Sequence, residues 1–248
     1  MRTLKLTLAY DGTAYVGWQR QENGVSVQER VEDAFRPLAA KPDGSAPTVI
    51  GAGRTDAGAH ALGQVASVNV EIDLPPEPVQ RALNVRLPLD IRVVAVSDEK
   101  PGFHARYHAA GKLYRYRIVT APVMSPFDRQ CAWHAPGRYD VVAMRRAAAA
   151  LAGRHDFASF QTSGSPVTDT IRTLHQVEVR ELDGELVIDV SGDGFLRHMV
   201  RALAGTLLDV GSGRRSPESI PGVLSAADRA AAGPTLPAHG LTLVSVSY

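Results

Sequence analysis

Thr3 to Tyr10 alternates by twos. Leu4, Leu6, Leu8 and Tyr10 fall on one face and Thr3, Lys5 and Thr7 on the other, which predicts a half-buried strand. At Ser26 the period changes. Ser26-Val-Gln-Glu29 is a capping box, and Val27, Val31, Ala34, Phe35 and Leu38 then recur at helical spacing. Two strand-like runs follow: Thr48-Val-Ile50, and Ala66, Val68, Val70 and Ile72 at alternate positions. A second helix is expected from the proline cluster Pro75, Pro76 and Pro78, with Val79, Ala82, Leu83 and Leu87 on its apolar face. A strand near Ile91 to Val96 ends this half.

The same order then repeats. A strand is predicted from Lys112 to Val119 and a helix from Asp140, with Val141, Met144, Ala148 and Leu151 on one face. Strands follow near Ile171–Arg180 and Glu185–Ser191, joined by a tight Asp183-Gly184 turn. A long helix from about Phe195 to Val210, a short helix capped by Ser216-Pro217, and an alternating strand from Leu241 to Tyr248 complete the pattern. Each half reads β-α-β-β-α-β, the ferredoxin-like unit. The expected fold is therefore α+β, with two ferredoxin-like subdomains at residues 1–104 and 105–248 and a boundary near Lys100 to Gly111. Their mainly antiparallel sheets are expected to join around a central catalytic cleft.

The two halves differ at one equivalent point. Where the second has the Asp183-Gly184 turn, the first has Gly51-Ala-Gly-Arg-Thr-Asp-Ala-Gly-Ala-His60. A plain strand connector needs only a few polar residues. This one seats Arg54 and Asp56 among glycines, which let a ligand approach the backbone. Its glycines match neither the dinucleotide-binding nor the P-loop spacing. A turn acid remains one reading of Asp56. A reactive carboxylate is the other, and a nucleophilic aspartate in a water-poor cleft needs a cationic neighbour.

Composition narrows the setting. The chain has 248 residues, 44% hydrophobic and 21% charged, which excludes disorder and predicts a packed core. A single cysteine, Cys131, excludes an internal disulfide framework and fits a reducing compartment. The chain opens directly on strand residues and has no apolar run of about 20 residues. A cytoplasmic protein without a membrane partner is expected. The net charge of +1 does not by itself mark a nucleic-acid binder, but arginine supplies most of the cations and suits phosphate contacts.

Two further constellations carry candidate chemistry. In Lys112-Leu-Tyr-Arg-Tyr-Arg117, Tyr114 and Tyr116 share one strand face and Arg115 and Arg117 the other. That pattern fits base stacking with phosphate contact, or ordinary core aromatics with a solvated back face. In Gly194-Phe-Leu-Arg-His-Met-Val-Arg201, Arg197 and Arg201 stand four apart and are expected to project together from a helix whose buried stripe holds Phe195, Met199, Ala202 and Leu203. The eight histidines form no metal-ligand spacing, so no metal site is expected. Asp156 and Asp169 are candidates for a glycosidase-like carboxylate pair by residue type alone.

These blocks together resemble the bacterial tRNA pseudouridine synthase A family over almost the whole chain. The resemblance is carried by Tyr10-Asp-Gly-Thr-Ala-Tyr-Val-Gly-Trp-Gln19 with Gln21, Ser26-Val-Gln28, Gly53-Arg-Thr-Asp-Ala-Gly58 with His60, and Gly63-Gln64. It continues through Asn84, Leu87-Pro88, Phe103-His-Ala-Arg106, Lys112 with Tyr114 and Tyr116, His155-Asp-Phe157 with Ser159-Phe160, Phe195 to Arg201, and Gly240-Leu241. Gly192-Asp193-Gly194 departs from the expected pattern but touches no assigned role.

The resemblance implies an isomerase that turns uridine into pseudouridine at positions 38, 39 and 40 of the tRNA anticodon arm. Asp56 matches the nucleophile, Arg54 the arginine that helps extrude the target base, and Arg201 the arginine that pairs with the catalytic carboxylate. Tyr114 matches the tyrosine that stacks on the uracil; strand pattern alone does not separate it from Tyr116. The resemblance also implies base flipping, a homodimer and no cofactor, because the isomerisation involves no redox change and no net group transfer. Whether Asp56 attacks C1′, attacks C6 or removes the 2′ proton stays open. Two other classes remain at this stage: a non-catalytic RNA-binding module, and a glycosidase acting on free nucleosides.

Overall fold

The computed structural model describes residues 1–39, 41–165 and 167–248. It is a mixed α+β protein that forms two compact units, Met1–Ala110 with Leu243–Tyr248, and Gly111–Thr242. The closing strand, β10 Leu241–Ser247, is divided between them, with Leu241 and Thr242 in the second unit and Leu243 onward in the first.

In the first unit the order is β1 Arg2–Tyr10, α1 Val27–Ala39, β2 Val49–Gly51, β3 His60–Val70, α2 Pro76–Arg86 and β4 Ile91–Glu99. Strand β1 lies between β4 and β3 and is antiparallel to both. The far side of β3 is shared. Its Ala66–Val68 stretch pairs with β2, and β3 also neighbours the last strand, β10 Leu241–Ser247. That neighbour runs so close to Gly63 that a Cβ there would stand 2.5 Å from the Val244 oxygen. Alternation on β1 buries Leu4, Leu6 and Leu8 completely, together with Val31 and Phe35 of α1 and Val79 and Leu83 of α2. The capping box at Ser26 is formed, with the Glu29 N–H donating to Ser26 Oγ at 3.2 Å.

Unit two runs β5 Gly111–Val119, β6 Trp133–His134, α3 Val141–Ala149, β7 Gly153–Asp156, β8 Ile171–Leu182, β9 Glu185–Gly192, α4 Met199–Gly211 and α5 Ile220–Ala226. Its strands lie in the order β5-β9-β8-β7, antiparallel throughout, with β6 parallel to β5. Asp183 and Gly184 both take positive φ, 40° and 81°, as a two-residue hairpin turn requires. Asp140 caps α3 by accepting the Ala143 N–H. Strands β6 and β7, of two and four residues, are too short to leave a periodic signal.

The long helix begins later than its apolar pattern suggests. It starts at Met199 instead of Phe195, after His198 in the left-handed region at φ 63°. The preceding stretch is held to β8: the Asp193 N–H donates to Thr173 O, and Asp193 Oδ1 accepts the Thr173 N–H, both at 3.1 Å. Those bonds leave residues 193–198 in an extended turn, so Phe195 and Arg197 precede the helix.

Candidate active site

The over-long connector is residues 52–59, between β2 and β3. Its backbone is laid against the segment that follows β1. The Trp18 N–H donates to Thr55 O at 3.1 Å, and the Gly58 N–H to Tyr15 O at 3.3 Å. The Ala59 N–H turns back to Asp56 O at 3.1 Å. Such close approach needs glycine. A Cβ on Gly12 would stand 1.9 Å from the Ala59 oxygen, and one on Gly17, at φ 108°, would stand 2.6 Å from Thr55 O.

Below the loop lies a buried polar clamp. Tyr10 Oη is 2.8 Å from Thr55 Oγ1, and Gln64 Nε2 donates to Gly53 O at 2.8 Å. Tyr10, Thr55 and Gln64 are all buried. Burial pushes the Tyr10 hydroxyl up to about 12 against the opposing bonds from Thr55 and Gln64, so it stays neutral at physiological pH. The clamp holds residues 53 and 55 from inside. The residues between and after them differ: Arg54 is exposed and Asp56 half-buried.

A second buried network fixes the strand leading into the loop. Gln28 Nε2 donates to Val49 O, and Glu32 Oε1 accepts the Val49 N–H, each at 3.0 Å. Gln28 Oε1 also accepts from Gln19 Nε2 and the Arg20 N–H. One helix face thus sets both β2 and the chain after Trp18. On the other side of the loop, the Gly12 N–H donates to His60 Nδ1 at 3.1 Å. Burial raises the neighbouring Asp11 carboxyl, but bonds from Thr13 and the nearby His60 outweigh it and leave it below the ordinary range.

These clamp residues escape a reading of pattern alone. Tyr10 occupies an apolar position of β1, and the signal available was its hydroxyl, which needs a partner when buried. Gln28 and Glu32 are polar residues four apart on the face that α1 buries.

The remaining candidates belong to the second unit. Tyr114 is 6% exposed and meets Phe195 edge-on, with ring centroids 4.9 Å apart. Tyr116 is fully buried against Gly240 and donates its hydroxyl to Pro237 O at 2.7 Å. Its ring is committed to the core of that unit.

Of the two readings left open for this strand, the arginine face is paired within the protein. Arg115 makes a two-pronged pair with Asp189 at 2.8 and 2.9 Å, and Arg180 reaches the same carboxylate at 2.5 Å. Burial raises the Asp189 carboxyl, but the two arginines prevail and hold it below the usual range. Arg117 pairs with Glu185 at 2.6 Å and Asp128 at 3.0 Å. This back face is an ion-pair lattice.

Arg201 lies in the first turn of α4, half-buried, with Nε donating to Leu236 O at 2.6 Å. Arg197 is exposed and ahead of the helix, so the two arginines are not a helical pair. Asp156 accepts from the Ala158 N–H and the Thr170 hydroxyl, and Asp169 from the Ile171 N–H. Both carboxylates shape turns. Among the described residues no three His, Cys, Asp or Glu side chains gather as a cation site. No described helix is long and apolar enough to cross a membrane.

Comparison with known proteins bears on the whole chain. The sequence profile described as tRNA pseudouridine synthase matches residues 7–108 and 147–248. The chain is 44% identical to tRNA pseudouridine synthase A of Syntrophotalea carbinolica, covering all of this chain and 97% of that protein. Its counterparts in Geobacter sulfurreducens and Moorella thermoacetica are 45% and 46% identical, each over the full length of both chains. Among solved structures, a chain of a Cbf5–Nop10–Gar1 complex overlaps 83% of this chain and 45% of its own length. At 13% identity and a TM-score of 0.35, that overlap is too loose to weigh.

Proposed function

The chain belongs to the tRNA pseudouridine synthase family, and from that premise we propose that Asp56 is the nucleophile of a uridine isomerase. The family isomerises uridine to pseudouridine, and this chain is such an isomerase, with tRNA as substrate. The binding-only and nucleoside-glycosidase readings give way to it. In the reaction the C1′–N1 bond breaks, the uracil turns, and C1′ joins C5. The C5 proton leaves and N1 gains one, so the conversion balances without a cofactor.

The observation that carries Asp56 is the loop around it. Five backbone and side-chain bonds fix residues 53, 55, 56 and 58, while Asp56 itself stays half-buried and Arg54 faces solvent. A carboxylate so held is pre-positioned for attack. Arg54 then occupies the space left by the flipped base, whose unstacking costs about a few kcal/mol. Tyr114 stacks on the displaced uracil, and Arg201 is the cation that pairs with the carboxylate. The target uridines are those at tRNA positions 38, 39 and 40 in the anticodon arm, acted on in the cytoplasm by a homodimer. The β4-β1-β3 order in the first unit, with β2 beyond β3, supports a ferredoxin-like subdomain there.

Tritium released from tRNA carrying C5-labelled uridine measures the reaction. Asp56→Asn is expected to abolish release while tRNA still binds. Release at the parental rate by that variant would remove Asp56 as nucleophile. Free uracil as a product would remove the isomerase reading.

A further inference from the structure

Residues 103–108 form a small rigid outcrop on the first unit that the isomerisation chemistry does not use. Its backbone is bolted down. The Ala105 N–H donates to Ser67 Oγ of β3 at 3.1 Å, and Ala105 O accepts the Tyr248 hydroxyl at 2.7 Å. Ala105 is fully buried in a cluster with Ala52 and Val65, against which Phe103 and Val246 pack. Ala52 is the first residue of the site loop, so outcrop and loop share one footing.

The outward side is aromatic and basic. Tyr107 is 75% exposed, and its ring stacks on His104 with centroids 4.1 Å apart and planes 27° from parallel. His104 is held in turn, since its Nδ1 accepts the N–H groups of Arg106 and Tyr107 at 3.2 Å each. The Arg106 guanidinium lies 6.0 Å from the Tyr107 ring centre. Residues 100–112 include Lys100, Arg106 and Lys112 and no acid. A large ring left in water on an ordered backbone, backed by a second ring and flanked by a guanidinium, has the parts that recognise an unpaired base. The ring faces supply stacking and the arginine supplies phosphate or cation–π contact. The ordering entropy is already met by the fold.

We propose that Tyr107, backed by His104 and flanked by Arg106, is a stacking ledge for an unpaired base of the bound tRNA, outside the target uridine's own pocket. This rests on the tRNA isomerase reading. The ledge is a binding element and takes no part in bond breaking.

The test compares Tyr107→Phe, Tyr107→Leu and Tyr107→Ala in the full chain, with wild-type tritium release as the control for the reading itself. The Leu and Ala variants are expected to weaken tRNA binding about tenfold, the scale of one lost base–aromatic stack, and the Phe variant to bind as wild type. Single-turnover rates at saturating tRNA should match wild type in all three. Arg106→Ala should weaken binding and lower the salt slope by about one contact, whereas Tyr107→Leu should leave the slope unchanged. Wild-type affinity in Tyr107→Leu overturns the ledge, as does a change in sedimentation coefficient with tRNA affinity intact, which would make Tyr107 a protein contact. If wild type itself releases no tritium, the isomerase reading fails first, and separately.

Discussion

Thr55 sits between the two residues assigned to chemistry, and its hydroxyl is the point at which the fold grips them. Val and Ser substitutions separate that grip from simple packing. Valine keeps the shape and loses the bond to Tyr10; serine keeps the bond and loses a methyl. Thr55→Val is expected to lower the single-turnover rate by roughly ten- to a hundredfold, with tRNA affinity little changed, since small misplacements of a reacting group are costly. Thr55→Ser should stay within a few-fold of wild type. The opposite ranking, read by tritium release, would make the position a packing site. At this scale the sequence singles out a residue type that is out of place, as with an acid among glycines at Asp56, on which the proposed chemistry rests. It was illegible where a residue looked ordinary in its pattern, as with Tyr10 on an apolar strand face. Arg115 and Arg117 stayed undecided for a related reason: alternation shows which face they occupy, and only the cross-strand neighbours Asp189 and Glu185 show that they are paired there.

The site loop owes its path to the segment after β1 more than to its own composition. Gly17 tests that dependence. Gly17→Ala meets both a positive φ and the Thr55 oxygen at 2.6 Å, whereas Gly44→Ala meets a positive φ of 78° with nothing within 4 Å. Gly44→Ala should therefore cost about 1 kcal/mol, from backbone strain alone, with activity unchanged. Gly17→Ala should cost about 2–3 kcal/mol and depress turnover as the loop is pushed aside. Urea unfolding and tritium release measure the two quantities. Equal effects from both variants would show that strain, and not displacement of the loop, is what matters. Elements with a full period were readable in advance, including α1 with its capping box and the Asp183-Gly184 hairpin. The start of α4 was not, because the apolar stripe continues through Phe195 while Asp193 and His198 hold the backbone out of the helix.

For the whole molecule, the order of the longer elements was visible in the sequence, while the short strands β6 and β7 and the grouping of residues 243–248 with the first unit were not. Residues 243–248 read as one more alternating strand, and periodicity does not tell which strands an alternating strand will lie beside. Their placement gives Tyr248 and Val246 a structural task beneath the loop. Tyr248→Phe, which loses only the bond to Ala105 O, is expected to cost about 1 kcal/mol. Removal of residues 243–248 should unfold the first unit well below the wild-type midpoint and end tritium release. Thermal unfolding together with the release assay would show it. Wild-type activity in the truncated chain would refute that role.

That grouping has a consequence for how the enzyme is made. Domains emerging from the ribosome generally fold in the order of synthesis. Here the unit that carries Asp56 emerges first yet lacks its last strand until the second unit has been translated. A nascent chain stopped between residues 56 and 243 holds Arg54 and Asp56 on a loop without that footing. Order in the site loop is thereby tied to residues 243–248, which are made only after the whole of the second unit.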